Sequence, residues 1–178
     1  MNEEKLSFCI QCKSGQENKL KNLIMELAPG TFVTPVMQQQ HRSRNGVKSL
    51  VNKLMLPCYL FLYSDELPPF DRILRLEQVY RFLRYDESYS FLLSGNDKSF
   101  ANWIYNHDGL LGVSKAISVG DETCIIDGPL KDHVGTVHKI DRHNRNICLS
   151  ISFDSNTRLV WLPFVWTRAS QVFGAGEG

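Results

Sequence analysis

The stretch that decides the fold is Val119-Gly120-Asp121, then Asp127-Gly128-Pro129-Leu130-Lys131-Asp132-His133-Val134-Gly135-Thr136-Val137, then Ile140-Asp141. Its glycines stand where β-prone runs start or stop, and glycine there permits positive φ or close backbone approach. Four short β-prone runs share the region: Thr123 to Ile126, Gly135 to Ile140, Ile147 to Ile151 and Arg158 to Leu162. Turns rich in Asp, Gly, Asn and Pro separate them. Short strands at this spacing, with no helix among them, predict a small β-barrel or sandwich over residues 119–170. Residues 171–178 read as a flexible tail.

Upstream the texture is mixed. Leu6 to Lys13 reads as a strand, and Ser14 with Glu17 three residues on is a capping-box pattern. The helix it predicts carries Leu20, Leu23, Ile24 and Leu27 at helical spacing and stops at Ala28-Pro29-Gly30. Thr31 to Met37 and Leu54 to Tyr63 read as strands. Pro68-Pro69 opens a second helix from Phe70 to about Gln78, Val79 to Tyr85 suits another strand, and Ser99 to His107 a third helix. This order predicts an α+β fold over residues 1–107, one antiparallel sheet covered by helices. Residues 108–118, with two glycines, read as a linker.

The 178 residues are 43% hydrophobic and 22% charged, the balance of an ordinary globular chain. No apolar run approaches the ~20 residues that span a bilayer, so no membrane association is expected. The polar start Asn2-Glu3-Glu4-Lys5 is unlike a secretory signal, which points to the cytoplasm. Five cysteines are an odd number, and Cys9 and Cys12, three apart on a strand, point to opposite faces. No second pair completes a zinc site, and the evenly spaced His133, His138 and His143 read as turn histidines rather than metal ligands. The chain has no G-x-S-x-G, phosphate-binding loop, H-E-x-x-H or dinucleotide fingerprint. The expectation is a binding protein, not an enzyme, with no catalytic residues, metal or cofactor.

The net charge is only +1, but its distribution is uneven. From Gln38 to Arg84, Arg42, Arg44, Lys48, Lys53, Arg72, Arg75, Arg81 and Arg84 face Asp65, Glu66, Asp71 and Glu77, eight bases against four acids. Local basic clusters matter more to a polyanion than the whole-chain sum. Within this region Gln38 to Lys53 carries Asn45-Gly46, a strong hairpin signal. Its residue types suit equally a solvated loop and a protruding basic hairpin.

The pattern V-G-D…D-G-P-L-K-D-H-V-G-T-V…I-D resembles the KOW motif. With that module behind it, the first domain resembles the N-terminal domain of the NusG family of transcription elongation factors. Phe8-Cys9-Ile10-Gln11 with Ser14-Gly15-Gln16-Glu17, and Leu56-Pro57-Cys58-Tyr59-Leu60-Phe61, carry that likeness. Leu56 and Cys58 replace the family's usual aromatic and glycine, and Ser7-Phe8 its opening aromatic pair. Inside the family the chain is most similar to the LoaP-type antiterminator paralogs. That similarity rests on Gly109-Leu110-Leu111-Gly112-Val113-Ser114-Lys115, Gly128-Pro129-Leu130-Lys131 and Ile140-Asp141-Arg142-His143-Asn144-Arg145. Asn144 stands where those paralogs tend to carry another basic residue. The resemblance runs from Leu6 to Arg168.

The resemblance implies a NusG-type α/β sandwich followed by a KOW β-barrel, in a monomer that docks on the clamp helices of RNA polymerase. Candidates for the apolar docking patch are Phe8, Leu56, Tyr59, Phe61, Tyr80 and Phe82, although strand alternation would send half of them to the core. It further implies recognition of an RNA hairpin in a leader transcript and suppression of termination downstream. Lys139, Arg142, His143 and Arg145, on a turn whose only acid is Asp141, are the candidate RNA ligands, with Lys131 on a neighbouring turn. Guanidinium groups grip phosphate bidentately, and duplex RNA is read through shape, phosphate and 2′-OH. Arg72, Arg75, Arg81 and Arg84 form a second candidate RNA surface. Arg42, Arg44 and Lys48 are candidates for contacting non-template DNA or the hairpin. The alternatives are a general NusG factor whose barrel recruits a protein such as Rho or a ribosomal protein, and a ribosome-associated KOW protein that binds RNA.

Overall fold

The computed structural model describes residues 5–85 and 90–168. The expected tail over 171–178 lies outside the described residues. In chain order the elements are β1 (Leu6–Cys12), α1 (Glu17–Leu27), β2 (Phe32–Thr34), β3 (Met37–Arg44), β4 (Val47–Leu54), β5 (Tyr59–Ser64), α2 (Phe70–Leu74) and β6 (Val79–Phe82). They continue with α3 (Gly95–Asn106), β7 (Leu110–Leu111), β8 (Ser114–Val119), β9 (Glu122–Asp127), β10 (Thr136–Asp141), β11 (Asn146–Phe153) and β12 (Asn156–Trp166). The fold is mixed α/β, with many strands and few helices.

The chain divides into two compact units, Met1–Met37 with Leu54–Leu110, and Gln38–Lys53 with Leu111–Gly178. In the first unit a four-stranded sheet runs in the order β2-β5-β1-β6. β1 and β5 are antiparallel, from Leu6 opposite Ser64 to Gln11 opposite Tyr59. Period-two alternation then separates two buried faces. On one, Phe8, Ile10, Leu60, Leu62, Val33 and Phe82 join Leu20 and Ile24 of α1 and Ile73 of α2 in a single apolar cluster. On the other, Phe61 packs on Phe100, and the Tyr63 hydroxyl donates to the Ala101 carbonyl at 2.7 Å, which seats α3. Each fully buried large side chain contributes about 1.5–3 kcal/mol, and helices on both faces explain why β5 is buried throughout.

Several expected boundaries shift for local reasons. Ser14 does not cap α1: the residue before the helix is Gln16, with no side-chain cap bond. Glu17 instead turns inward and its Oε1 accepts the Cys58 amide at 2.9 Å. That amide is available because Cys58 has φ +69°, outside the extended region. The same left-handed residue splits the expected strand from Leu54 to Tyr63, giving its start to β4 and the rest to β5. Helix α2 stops at Leu74, and α3 starts at Gly95 rather than Ser99.

In the second unit a five-stranded sheet runs in the order β10-β11-β12-β8-β9. Strand β8 (Ser114–Val119) is not among the four expected runs and lies almost wholly inside the expected linker. It is held there because the buried Ser114 hydroxyl accepts the Leu130 amide at 2.9 Å. Gly128 (φ +89°) and Gly135 (φ +78°) occupy the left-handed region. A Cβ at Gly135 would lie 2.2 Å from the Ser150 carbonyl oxygen, and one at Gly128 would lie 2.7 Å from the Ser114 Cα. Gly128 and Gly135 are thus required by φ and by space, and the motif's third glycine, Gly120, by its φ of +58° alone.

Residues 38–53 form a hairpin, and His41 to Leu50 are exposed. β3 and β4 join β7 in a three-stranded sheet of order β4-β3-β7. The Asn45-Gly46 turn has φ of +51° and +76°, the two positive values of a type I′ turn. The Gln39 side chain accepts the Val113 amide at 3.1 Å.

Candidate nucleic-acid interface

The β10–β11 hairpin brings Lys139, Arg142, His143 and Arg145 together, all exposed. Its turn is closed by Asp141, whose carboxylate accepts the Asn144 backbone amide and the Asn144 Nδ2, each at 2.8 Å. These two bonds, with smaller contributions from the neighbouring His143 and Lys139, hold the Asp141 carboxyl below its usual range. The closed turn drives Arg145 to φ +56°, and its carbonyl accepts the Phe164 amide at 2.9 Å. The backbone under Arg145 is therefore fixed while its guanidinium stays in solvent.

Arg142 is held differently. Its Nε donates to the Thr123 hydroxyl at 3.0 Å, and a terminal nitrogen donates to the Asp121 carbonyl. Since β10 and β9 are the two edges of the sheet, Arg142 ties one edge to the other at this end. Its charge adds to the local field, but part of its donor set is occupied. Lys139 takes part in no ion pair among the described residues. Lys131 lies on the β9–β10 connection, where its charge helps Lys115 and the Gly128 amide keep the Asp127 carboxyl low. His133 is engaged by the Leu130 carbonyl at 2.8 Å. Among the described residues no group of three or more His, Cys, Asp or Glu could hold a metal ion.

The other candidates sort by exposure. Phe8, Leu56, Tyr59, Phe61 and Phe82 are buried, and only Tyr80, at 63% exposure, presents a side chain to solvent. The expected six-residue patch is corrected on this point, because a sheet covered on both faces leaves no apolar face free. Around Tyr80 in sequence, Arg72, Arg75, Arg81 and Arg84 are all exposed, and Arg81 Nε donates to the Gln11 side chain at 2.9 Å. On the β3–β4 hairpin, the two-residue turn and period-two alternation put Arg42 and Arg44 on one face and Lys48 on the other. Those three therefore do not form one contact. Sequence reading missed Leu159 and Trp161 of β12, exposed at 57% and 40%. Their two-residue spacing was the available signal.

Cys12 and Cys148 are buried free thiols. Burial, then Glu17 and Cys58, push the Cys12 thiol up to about 12, and burial raises that of Cys148. Thiols so shifted stay protonated and unreactive at neutral pH.

Two strand-rich units, one with helices on both faces of its sheet and one carrying a basic hairpin, define the class to which comparison gives a name. Residues 7–97 match the family model described as NusG, transcription termination factor nusG. The chain belongs to the NusG family of transcription factors. Among solved structures it is similar to Thermotoga maritima NusG, in a structure titled for its domain interaction, with 18% identity and a TM-score of 0.52 over 90% of this chain and 94% of that one. That likeness concerns the fold. The MjSpt4:Spt5 complex in conformation B aligns over 89% of this chain and 92% of that chain at 10% identity, with a TM-score of 0.27, and adds nothing about the fold. No curated protein matches the chain. No helix among the described residues is long and apolar enough to cross a membrane.

Proposed function

We propose that this chain is a specialised, processive antitermination factor of the LoaP type, without catalytic activity. The first unit docks on RNA polymerase, and the second is a KOW-type barrel that grips a hairpin in a nascent leader transcript. The observation that carries this reading is the β10–β11 turn. Asp141 is consumed by Asn144, so the one acid of the turn is tied down while Lys139, His143 and Arg145 face solvent. Such a turn presents cations at fixed spacing to a phosphate backbone. Tyr80 with Arg72, Arg75, Arg81 and Arg84 is the exposed surface of the first unit that suits polymerase or nucleic acid. Arg42 and Arg44 suit the non-template strand.

The effect on transcription is a population shift of the elongation complex toward its non-pausing state. The test is transcription in vitro through a leader hairpin followed by a terminator. Readthrough should rise with the protein and should need the hairpin. Readthrough that is independent of the hairpin would favour a general elongation factor, and none at all would reject the reading.

A further inference from the structure

On β11, Ile147, Leu149, Ile151 and Phe153 alternate and are buried, and they pair with Leu162 and Val160 of β12 on the same side. Trp161 and Leu159 therefore stand on the opposite, outward face. There one row crosses three strands, with Lys139 opposite Cys148 and Cys148 opposite Trp161. Cys148 is fully buried although it faces outward, so its neighbours lie over it. The next row toward the turn is Asp141, Asn146 and Pro163, after which come His143 and Arg145. The outward face is thus continuous with the basic turn.

Away from the turn, on β10, β11 and β12, the same face carries Thr136, Ser150, Ser152 and Thr157; farther across the sheet Val165 stands opposite Lys115 and Lys115 opposite Asp127, whose carboxylate accepts from the Lys115 ammonium at 2.9 Å. Two exposed apolar side chains fall far short of the roughly 800 Å² per partner of a standard protein interface. They match one planar base, and an aromatic ring beside a cation is the recurring means of holding unpaired nucleotides. We propose that Trp161 is a stacking platform for an unpaired nucleotide next to the RNA stem, with Lys139 on the adjoining phosphate. This rests on the reading that the second unit holds RNA, and it narrows the ligand to a stem with a single-stranded flank.

The test uses the full chain with three probes: an oligouridine strand, a blunt RNA hairpin, and that hairpin with an oligouridine tail. Trp161→Leu should weaken oligouridine and the tailed hairpin by about tenfold, the scale of one lost stack, and leave the blunt hairpin unchanged. Trp161→Phe should retain most of the affinity and guards against a folding artefact. If the wild type binds the blunt hairpin but the tail adds nothing and Trp161→Leu matches it, the platform is rejected and the RNA reading stands. If no probe binds, both fail. Loss of polymerase binding in Trp161→Leu with RNA affinity intact would assign the face to a protein instead.

Discussion

Asn144 donates both its backbone amide and its side-chain Nδ2 to the carboxylate of Asp141, at 2.8 Å each. Both bonds favour the ionised carboxylate, so the turn is closed by hydrogen bonds to a charged acid. Asp141 has a folded pKa below its ordinary 3.8. Its contribution to stability is therefore present above that ordinary value and is lost as pH falls through the lowered folded one. Asn144→Ala keeps the backbone donor and loses Nδ2, so the Asp141 midpoint should move part-way up toward 3.8. Carboxyl chemical shifts followed against pH read this directly, and equal midpoints in the two proteins would contradict it.

Arg142 and Arg145 should separate stability from binding. Arg142→Ala breaks the tie to Thr123 and Asp121 and should cost about 1 kcal/mol, read as a lower melting temperature. Arg145→Ala should stay within about 0.5 kcal/mol of wild type. It should instead lower the salt dependence of RNA binding by about one phosphate contact. The reverse pattern would mean that the two roles are exchanged.

Cys58 stands at φ +69°, a conformation that costs a residue with a Cβ roughly 1–2 kcal/mol. Cys58→Gly should stabilise the first unit by about 1 kcal/mol once the greater freedom of the unfolded glycine is subtracted. Denaturant unfolding measures it, and a loss of stability would show that the Cys58 side chain supplies more than its strain.

Gly135→Ala should be severe, because the new Cβ meets backbone, which cannot rotate away. A loss of more than about 2 kcal/mol is expected from strain and overpacking together. Amide exchange in β10 and β11 reports the damage locally, and unchanged protection there would overturn the assignment.

Tyr80→Ala removes an exposed ring and should leave the stability unchanged within about 0.5 kcal/mol. Polymerase binding in a pull-down should weaken. Leu56→Asp with Tyr59→Ala is no test of docking, because both residues are buried and the pair would unfold the unit. Full polymerase binding by Tyr80→Ala would move the docking surface elsewhere.

The elements legible in sequence were those with local causes. The heptad-like spacing of Leu20, Leu23, Ile24 and Leu27 gave α1, Asn45-Gly46 gave the β3–β4 turn, and the glycines at 128 and 135 framed the strands of the second unit. What escaped depended on tertiary partners. Glu17 matched a cap pattern but serves a residue 41 positions away. The aromatic residues of β1, β5 and β6 read as a patch because nothing local shows that helices cover both faces of their sheet. For the candidate interface, the cations of the β10–β11 turn were legible, but not that Arg142 is held by Asp121 and Thr123.

The most direct test of the central claim is a titration of the isotope-labelled full chain with an RNA hairpin, followed by amide shifts. The largest changes are expected at Lys139 to Arg145, diminished in Arg145→Ala. Changes confined to the first unit, or none at saturating RNA, would contradict it.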